Sequence, residues 1–279
     1  MTLRLVLVGW GAIGQTVAEL LASTSPEVFG PGARHRDRTR VEIVGVGVRD
    51  ASIALPGVPE SARVLTDPSE LRALAPHVVA EAAGRASVRP WGRAALGLGV
   101  DFIVSSVSAF ADPALLDELR ALAVDHGGRV EIQPGALAGV DALSAARFTG
   151  LDRVEHRIVK PPAAWRGSPA EELCDLQHLT EATEFSRATA AETAASFPQN
   201  ANVAMTSALA GVGPDRTEVV LVADPAATTN RHEITASGDF GTLDVAIANN
   251  PLPTNPKSSA MAALALARAI TNRASAIAI

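Results

Sequence analysis

Apolar runs recur along the first half of the chain, separated by stretches with helical periodicity. "LRLVLVG" (3–9) is nearly continuous in its apolar character, as a strand covered on both faces requires. A helix follows, with Val17, Leu20 and Leu21 on one side. "GPGARHRDRTR" reads as a long loop before the strand "VEIVGVGV" (41–48). A short strand near "ARVL" (62–65) precedes a helix opened by "DPSE", with Asp67 as N-cap, Pro68 in the first turn and Glu70 completing a capping box. "HVVAEAA" (77–83) and "DFIVSSV" (101–107) are further buried strands separated by a helix. Another helix, capped by Asp112, starts at "DPALLDEL", and "RVEIQ" (129–133) closes the series. This alternation predicts a parallel, doubly wound α/β sheet.

After "PGALAGVDAL" (134–143) the rhythm changes. "RVEHRIVK", "TEVVLVAD", "RHEITAS" and "GTLDVAIA" read as strands, and the last alternates in polarity as a half-exposed antiparallel strand should. "SGDFG" between the last two is a hairpin turn, and the small-residue stretch "NANVAMTSALAG" (200–211) is a helix. The pattern predicts a dinucleotide-type domain over 1–135 and an α+β domain with an antiparallel sheet over 136–255. "NPKSSAMAALALARAI" predicts a closing helix with Asn255 as N-cap and Pro256 at its first position, packed back on the first domain over 256–279.

With 279 residues, 47% of them hydrophobic, the chain can bury a substantial core. A net charge of −6 argues against general nucleic-acid binding, and the basic stretch "RHRDRTR" (34–40) reads as a solvated loop. The single cysteine, Cys174, excludes an internal disulfide framework and suits a reducing, cytoplasmic compartment. The first apolar run is too short for a signal peptide, and no segment is long enough to span a membrane. Lys160 and Lys257 are the only lysines among 24 basic residues. Arginine and lysine differ in charge geometry and in ease of deprotonation, so the two lysines are candidates for specific roles.

"GWGAIG" places Gly9, Gly11 and Gly14 at G-x-G-x-x-G spacing, directly after a strand and opening a helix. In that context the first glycine allows a tight turn and the second lets backbone approach a pyrophosphate. The third permits close packing, while amides of the first turn, around Ala12 and Ile13, face the anion. The pattern predicts a Rossmann-type fold binding NAD or NADP. At the end of the second strand, Asp50 would bind a free ribose and favour NAD, whereas Arg49 would hold a 2′-phosphate and favour NADP; both remain open.

Hydride chemistry on a small substrate needs a proton carrier near neutral pH, for which histidine is suited. No Cys/His set has metal-ligand spacing. Of six histidines, His35 lies in the long loop, His77 begins a strand and His126 ends a helix. His156 and His178 have generic surroundings. His232, in "NRHEI", is the remaining candidate, with a water-facing strand edge as the alternative.

"PGALAGVDAL", "KPPAAWRGSPAEEL", "FPQNANVA", "LAGVGPDRTEVVLVADP", "NRHEI" and "NPKSSA" occur in an order that resembles the L-aspartate dehydrogenase family over nearly the whole chain. The resemblance implies NAD(P)-dependent deamination of L-aspartate to oxaloacetate and ammonia, reversible as reductive amination. It puts the catalytic histidine at His232 and dinucleotide contacts at Ala136 and Asn202. A dicarboxylate substrate also needs cations. Lys160 and Lys257 are candidates, the second near the expected helix N-terminus, against the alternative of a surface charge and a backbone cap.

The chain departs from the family pattern in three places. Arg85 follows Gly84 where histidine is usual. "SVSAF" brings Ser108 and Phe110 where glycine and leucine are usual, and Val159 replaces an arginine. All three are expected to face nicotinamide or substrate, with Arg85 offsetting the charge lost at Val159. They keep open a reductase acting on another acidic ketone or imine. A dinucleotide-binding regulatory protein is the non-catalytic alternative. An exposed antiparallel sheet predicts a homodimer.

Overall fold

The computed structural model describes residues 2–23 and 41–278; the basic stretch 34–40 and His35 lie outside the described residues. The chain divides into two compact units. One runs to Gln133 and takes in the residues from Ala262 onward; the other is Pro134–Met261.

The first unit follows the βα alternation: β1 (Leu3–Val8), α1 (Ala12–Ala22), β2 (Val41–Gly47), β3 (Arg63–Leu65), α2 (Leu71–Leu74), β4 (Val78–Glu81), α3 (Arg85–Leu96), β5 (Asp101–Val104), α4 (Pro113–His126) and β6 (Val130–Ile132). The strands form one sheet in the order β3-β2-β1-β4-β5-β6, and every pairing in it is parallel. Leu5, Val6, Leu7 and Val8 are buried because β1 is central and covered on both faces. The order reverses between β1 and β4, which is where an open parallel sheet binds ligands. Asp67 and Glu70 form the expected capping box, and Asp112 caps α4 through the amide of Ala114.

The second unit contains α5 (Val140–Ala146), β7 (Leu151–Lys160), α6 (Ala170–Leu173), β8 (Thr183–Thr189), α7 (Ala190–Ser196), α8 (Ala201–Ala210), β9 (Glu218–Ala223), β10 (Asn230–Gly238), β11 (Gly241–Asn249), β12 (Pro251–Leu252) and β13 (Asn255–Ser259). Its main sheet has the order β11-β10-β7-β9-β8. The sheet expected to be antiparallel is mixed, because β7 and β9 run parallel. More than fifty residues separate these strands, enough for the crossover that a parallel pair requires. β8 escaped the pattern reading because a bulge between Glu184 and Ser186 breaks its alternation. Asp239 and Phe240 form the two-residue hairpin between β10 and β11.

The side chains of the main sheet sort onto two faces. Val154, Ile158, Leu221 and Ile234 point inward, into clusters that include Ala204 and Ala208 of α8, Ala190 of α7 and Leu143 of α5. The opposite face carries an ion-pair lattice in which Arg153, Arg157 and Arg187 meet Glu155, Glu184, Glu218 and Glu233.

The closing segment differs from the sequence expectation. Residues Asn255–Ser259 form β13, paired with β12, and the helix α9 is Ala260–Ala274. Asn255 uses its side chain to accept the amide of Lys257 at 3.1 Å, an Asx turn. Ser259 Oγ accepts from the Met261 amide at 3.1 Å and makes the N-cap bond instead. Asn-Pro opens a turn and a helix with the same local chemistry, which is why the expected start lies four residues before the observed one. Lys257 is therefore an exposed strand residue and not a helix N-terminal one. Further along α9, Arg273 reaches Glu131 at 2.7 Å and Asp101 at 3.3 Å, tying the helix to the ends of β5 and β6.

Candidate active site

The glycine turn is built for a close backbone approach. Gly9 has φ +101, and a Cβ there would lie 2.7 Å from the backbone of Ala82. A Cβ at Gly14 would stand 2.1 Å from the carbonyl oxygen of Gly9. At Gly11 nothing lies within 4 Å of a notional Cβ, so this side of the turn is open. Gly11 is the N-cap of α1 and offers no side-chain cap to the amides of its first turn, which includes Ala12, Ile13 and Gly14. An open, glycine-edged helix N-terminus at the strand-order reversal fits a dinucleotide pyrophosphate.

Neighbouring contacts hold the turn. Trp10 Nε1 donates to Pro56 O at 2.8 Å, and Gln15 Nε2 donates to Trp10 O at 2.8 Å. Glu81, absent from the sequence-based candidates, is fully buried at the end of β4. Its carboxylate accepts the amides of Ala83, Gly84 and Ser106 and the hydroxyls of Ser87 and Ser106. It thereby fixes the turns after β4 and β5, the first of which packs on Gly9. Its signal in the sequence was an acidic residue inside an otherwise apolar buried strand. Arg49 and Asp50 both lie exposed just beyond β2. Asp50 Oδ1 accepts the amide and hydroxyl of Ser52, which holds its carboxyl below the ordinary carboxylate range. Arg85 is exposed at the start of α3, whereas Ser108 and Phe110 are buried within this unit.

In the second unit, strand alternation and register bring three chemical groups together. His156, Ile158 and Lys160 share the inner face of β7. His232 of β10 pairs opposite Ile158, so His156 and Lys160 are its diagonal neighbours on that face. His232 is only 5% exposed, so the water-facing alternative does not hold. Its Nδ1 lies 3.2 Å from Nε2 of His156. Burial, together with the nearby charge of Lys160, lowers the pKa of His232 to about 3, so the ring is neutral at pH 7.

Lys160 is 8% exposed, which corrects its alternative reading as a surface charge. Its Nζ donates to Asn200 Oδ1 and sits 4.6 Å from the centroid of the Trp165 ring. Trp165 is itself fixed by Nε1 donating to Val222 O at 3.0 Å and by edge contacts with Phe185 and Phe197. No ion pair among the described residues includes Lys160. Burial lowers its pKa from 10.5 to about 8. A buried ammonium with one amide oxygen and an aromatic face for partners is incompletely compensated, and an anion would complete it.

His156 does not have generic surroundings. It is fully buried, with Nδ1 2.9 Å from Ser207 Oγ, and burial lowers its pKa well below the usual histidine value. The strand pattern Val154, His156, Ile158, Lys160 put it on the inner face, and that alternation was the available signal. Asn200 sits two residues before Asn202 in the same motif, yet it is Asn200 that meets Lys160. Asn202 is exposed near the start of α8 and accepts Thr206 Oγ1 through its carbonyl at 2.8 Å. The carbonyl of Ala136 is fixed by Asn249 Nδ2 at 2.9 Å. Val159 lies on the opposite sheet face, with Val220 and Val222, and does not share the face of Lys160 and His232. Arg231 pairs directly across from it. His178 is exposed and paired with Asp175, while Lys257 stands apart on the β12–β13 hairpin.

Residues 141–273 match the aspartate dehydrogenase C-terminal family model, and residues 9–133 match the NAD-binding domain model of homoserine dehydrogenase. L-Aspartate dehydrogenase of Brucella anthropi is 51% identical over 96% of this chain and 96% of its own. That of Cupriavidus necator is 42% identical over 99% of this chain and 100% of its own. The crystal structure of aspartate dehydrogenase from Thermotoga maritima, at 23% identity, covers 100% of both chains with a TM-score of 0.74 and has the same fold. By the identity and coverage of these relatives, the chain belongs to the L-aspartate dehydrogenase family.

Proposed function

We propose that the protein is an NAD(P)-dependent oxidoreductase that interconverts L-aspartate with oxaloacetate and ammonia. The observation that carries this reading is the buried Lys160, without a carboxylate partner among the described residues, beside a buried neutral imidazole, in a chain whose relatives are L-aspartate dehydrogenases.

The bound dinucleotide supplies the hydride acceptor for deamination and the donor for amination. Gly9, Gly11, Ala12, Ile13 and Gly14 would receive its pyrophosphate. Arg49 or Asp50 would contact the adenosine ribose, and Ala136 and Asn202 would make the further contacts that the family motifs suggest. Lys160 holds a substrate carboxylate, and Asn200 aims the ammonium group. In deamination, His232 takes a proton from the water that adds to the substrate imine. In amination it returns a proton to the hydroxyl that leaves the carbinolamine as water. It acts through Nε2, the nitrogen that His156 does not engage. A dianionic substrate beside Lys160 cancels the charge that depresses the His232 pKa, so substrate binding itself raises the basicity of the ring.

Lys257 and Arg85 are weaker candidates for the second carboxylate, since both are exposed. Among the described residues no helix is long and apolar enough to cross a membrane. The location we propose is cytoplasmic, a reducing compartment that the single cysteine, Cys174, suits. A homodimer through the charged face of the second sheet is the assembly we propose, checked by the mass of the particle in solution.

Initial rates of amination of oxaloacetate and several other keto acids, with NADH and NADPH in parallel, test the assignment. Oxaloacetate should be the preferred acceptor. Preference for another keto acid, or cofactor binding without turnover on any of them, would overturn it.

A further inference from the structure

The mechanism above uses one ring of a buried pair, and the second ring has both nitrogens engaged. His156 and His232 have ring centroids 5.3 Å apart and planes inclined by 55°. His156 Nε2 meets His232 Nδ1 at 3.2 Å, and His156 Nδ1 meets Ser207 Oγ at 2.9 Å. A neutral imidazole carries one ring proton, and its neighbours decide which nitrogen holds it.

The direction of this chain is set at its far end. Ser207 lies in α8, and its Oγ is 3.0 Å from Ala204 O and 3.2 Å from Val203 O. Both carbonyls can accept the single hydroxyl proton, and we place it there, in the usual back-bond of a helical serine. Oγ therefore turns a lone pair toward His156, and Nδ1 of His156 must carry that ring's proton. Nε2 of His156 is then an acceptor, and Nδ1 of His232 must donate to it. The lone pair of His232 is left on Nε2.

We infer that Ser207 and His156 are positioning residues that fix His232 as the Nδ1–H tautomer, so that Nε2 meets the substrate as a base. The inference rests on the reading of His232 as the acid/base group. It gives three otherwise costly buried polar groups a common purpose: isolated histidine favours the opposite tautomer, in which Nε2 would carry a proton and could not accept one. Once Nε2 takes a proton, the Nδ1–H bond to His156 becomes charge-assisted and stabilises the imidazolium. His156 does not compete for that proton, because both of its nitrogens are engaged, Nδ1 with Ser207 and Nε2 with His232.

The full-length protein labelled with ¹⁵N in its histidines tests this near neutral pH, with the His232 signals assigned by their loss in His232→Gln. The expected spectrum has His232 Nδ1 in the protonated range and Nε2 in the unprotonated range; the reverse would overturn the inference. In turnover, His156→Phe should lower kcat on the order of 10- to 100-fold, as loss of an orienting partner does, with KM and cofactor affinity unchanged. Ser207→Ala should lower kcat in the same sense, and Ser207→Thr should restore it. Unaltered kcat in both His156→Phe and Ser207→Ala would overturn the inference. If His156→Phe does not fold, the Ser207 pair and the wild-type spectrum decide. Full turnover in His232→Gln would instead sink the catalytic reading, a separate outcome because the ring shifts are read without turnover.

Discussion

Lys160 and His232 project from neighbouring strands onto one buried face, where burial and then the ammonium charge of the first depress the basicity of the second. The two groups are therefore an electrostatic unit: an anion that binds Lys160 also tunes His232. Lys160→Met keeps the volume and removes the charge. It should raise the KM for oxaloacetate and aspartate roughly 10- to 100-fold, the worth of one charged hydrogen bond. It should also raise the pKa of His232 in the free enzyme, measured by histidine NMR titration. An unchanged KM would remove Lys160 from the substrate site.

The same lysine gives the enzyme a basic limb. With its pKa lowered from 10.5 to about 8, Lys160 loses its charge in the free enzyme as pH rises through about 8. The kcat/KM for the dicarboxylate should fall over that range, and the fall should be absent in Lys160→Met.

Stability should move the other way. Between about 8 and 10.5 the unfolded chain holds the Lys160 proton and the folded chain does not, so this group makes stability rise with pH in that window. For His232, lowered from 6.5 to about 3, the contribution is complete above 6.5 and is lost as pH falls toward 3. His156 acts in the same direction. Urea unfolding at a series of pH values should show His232→Gln flattening the acidic limb, by an amount on the order of a few kcal/mol. An acidic limb identical to wild type would contradict the burial of a neutral ring.

The glycine turn separates folding from cofactor binding. Gly14→Ala would force a methyl carbon to 2.1 Å from the Gly9 carbonyl oxygen. It should destabilise the protein by about 1–3 kcal/mol or more, an overpacking effect, and weaken dinucleotide binding with it. Gly11→Ala meets nothing within 4 Å and should melt like wild type. It places a methyl group on the open side of the turn and should weaken only the dinucleotide, read by cofactor fluorescence. Equal melting temperatures for the two variants would contradict the packing described.

Much of this was legible in the sequence, for identifiable reasons. The parallel sheet announced itself because strands such as β1 and β4 are buried on both faces and so are continuously apolar. Asp67, Asp112 and the Asp239–Phe240 turn are local chemistry that tertiary contacts do not override. The failures come from non-local partners. Asn255-Pro256 is locally equivalent to a helix start, and only pairing of β13 with β12 excludes it. His156 looked generic because its importance comes from register with β10 and from Ser207, fifty-one positions away along the chain. Val159 was misplaced by reading a motif without the two-residue period that turns alternate side chains to opposite faces.

The central claim is that His232 carries the proton of the reaction. His232→Ala should bind NADH or NADPH as wild type does, while the rate of oxaloacetate amination falls on the order of 10² to 10⁴-fold. Near-normal amination by a folded His232→Ala protein would contradict the account.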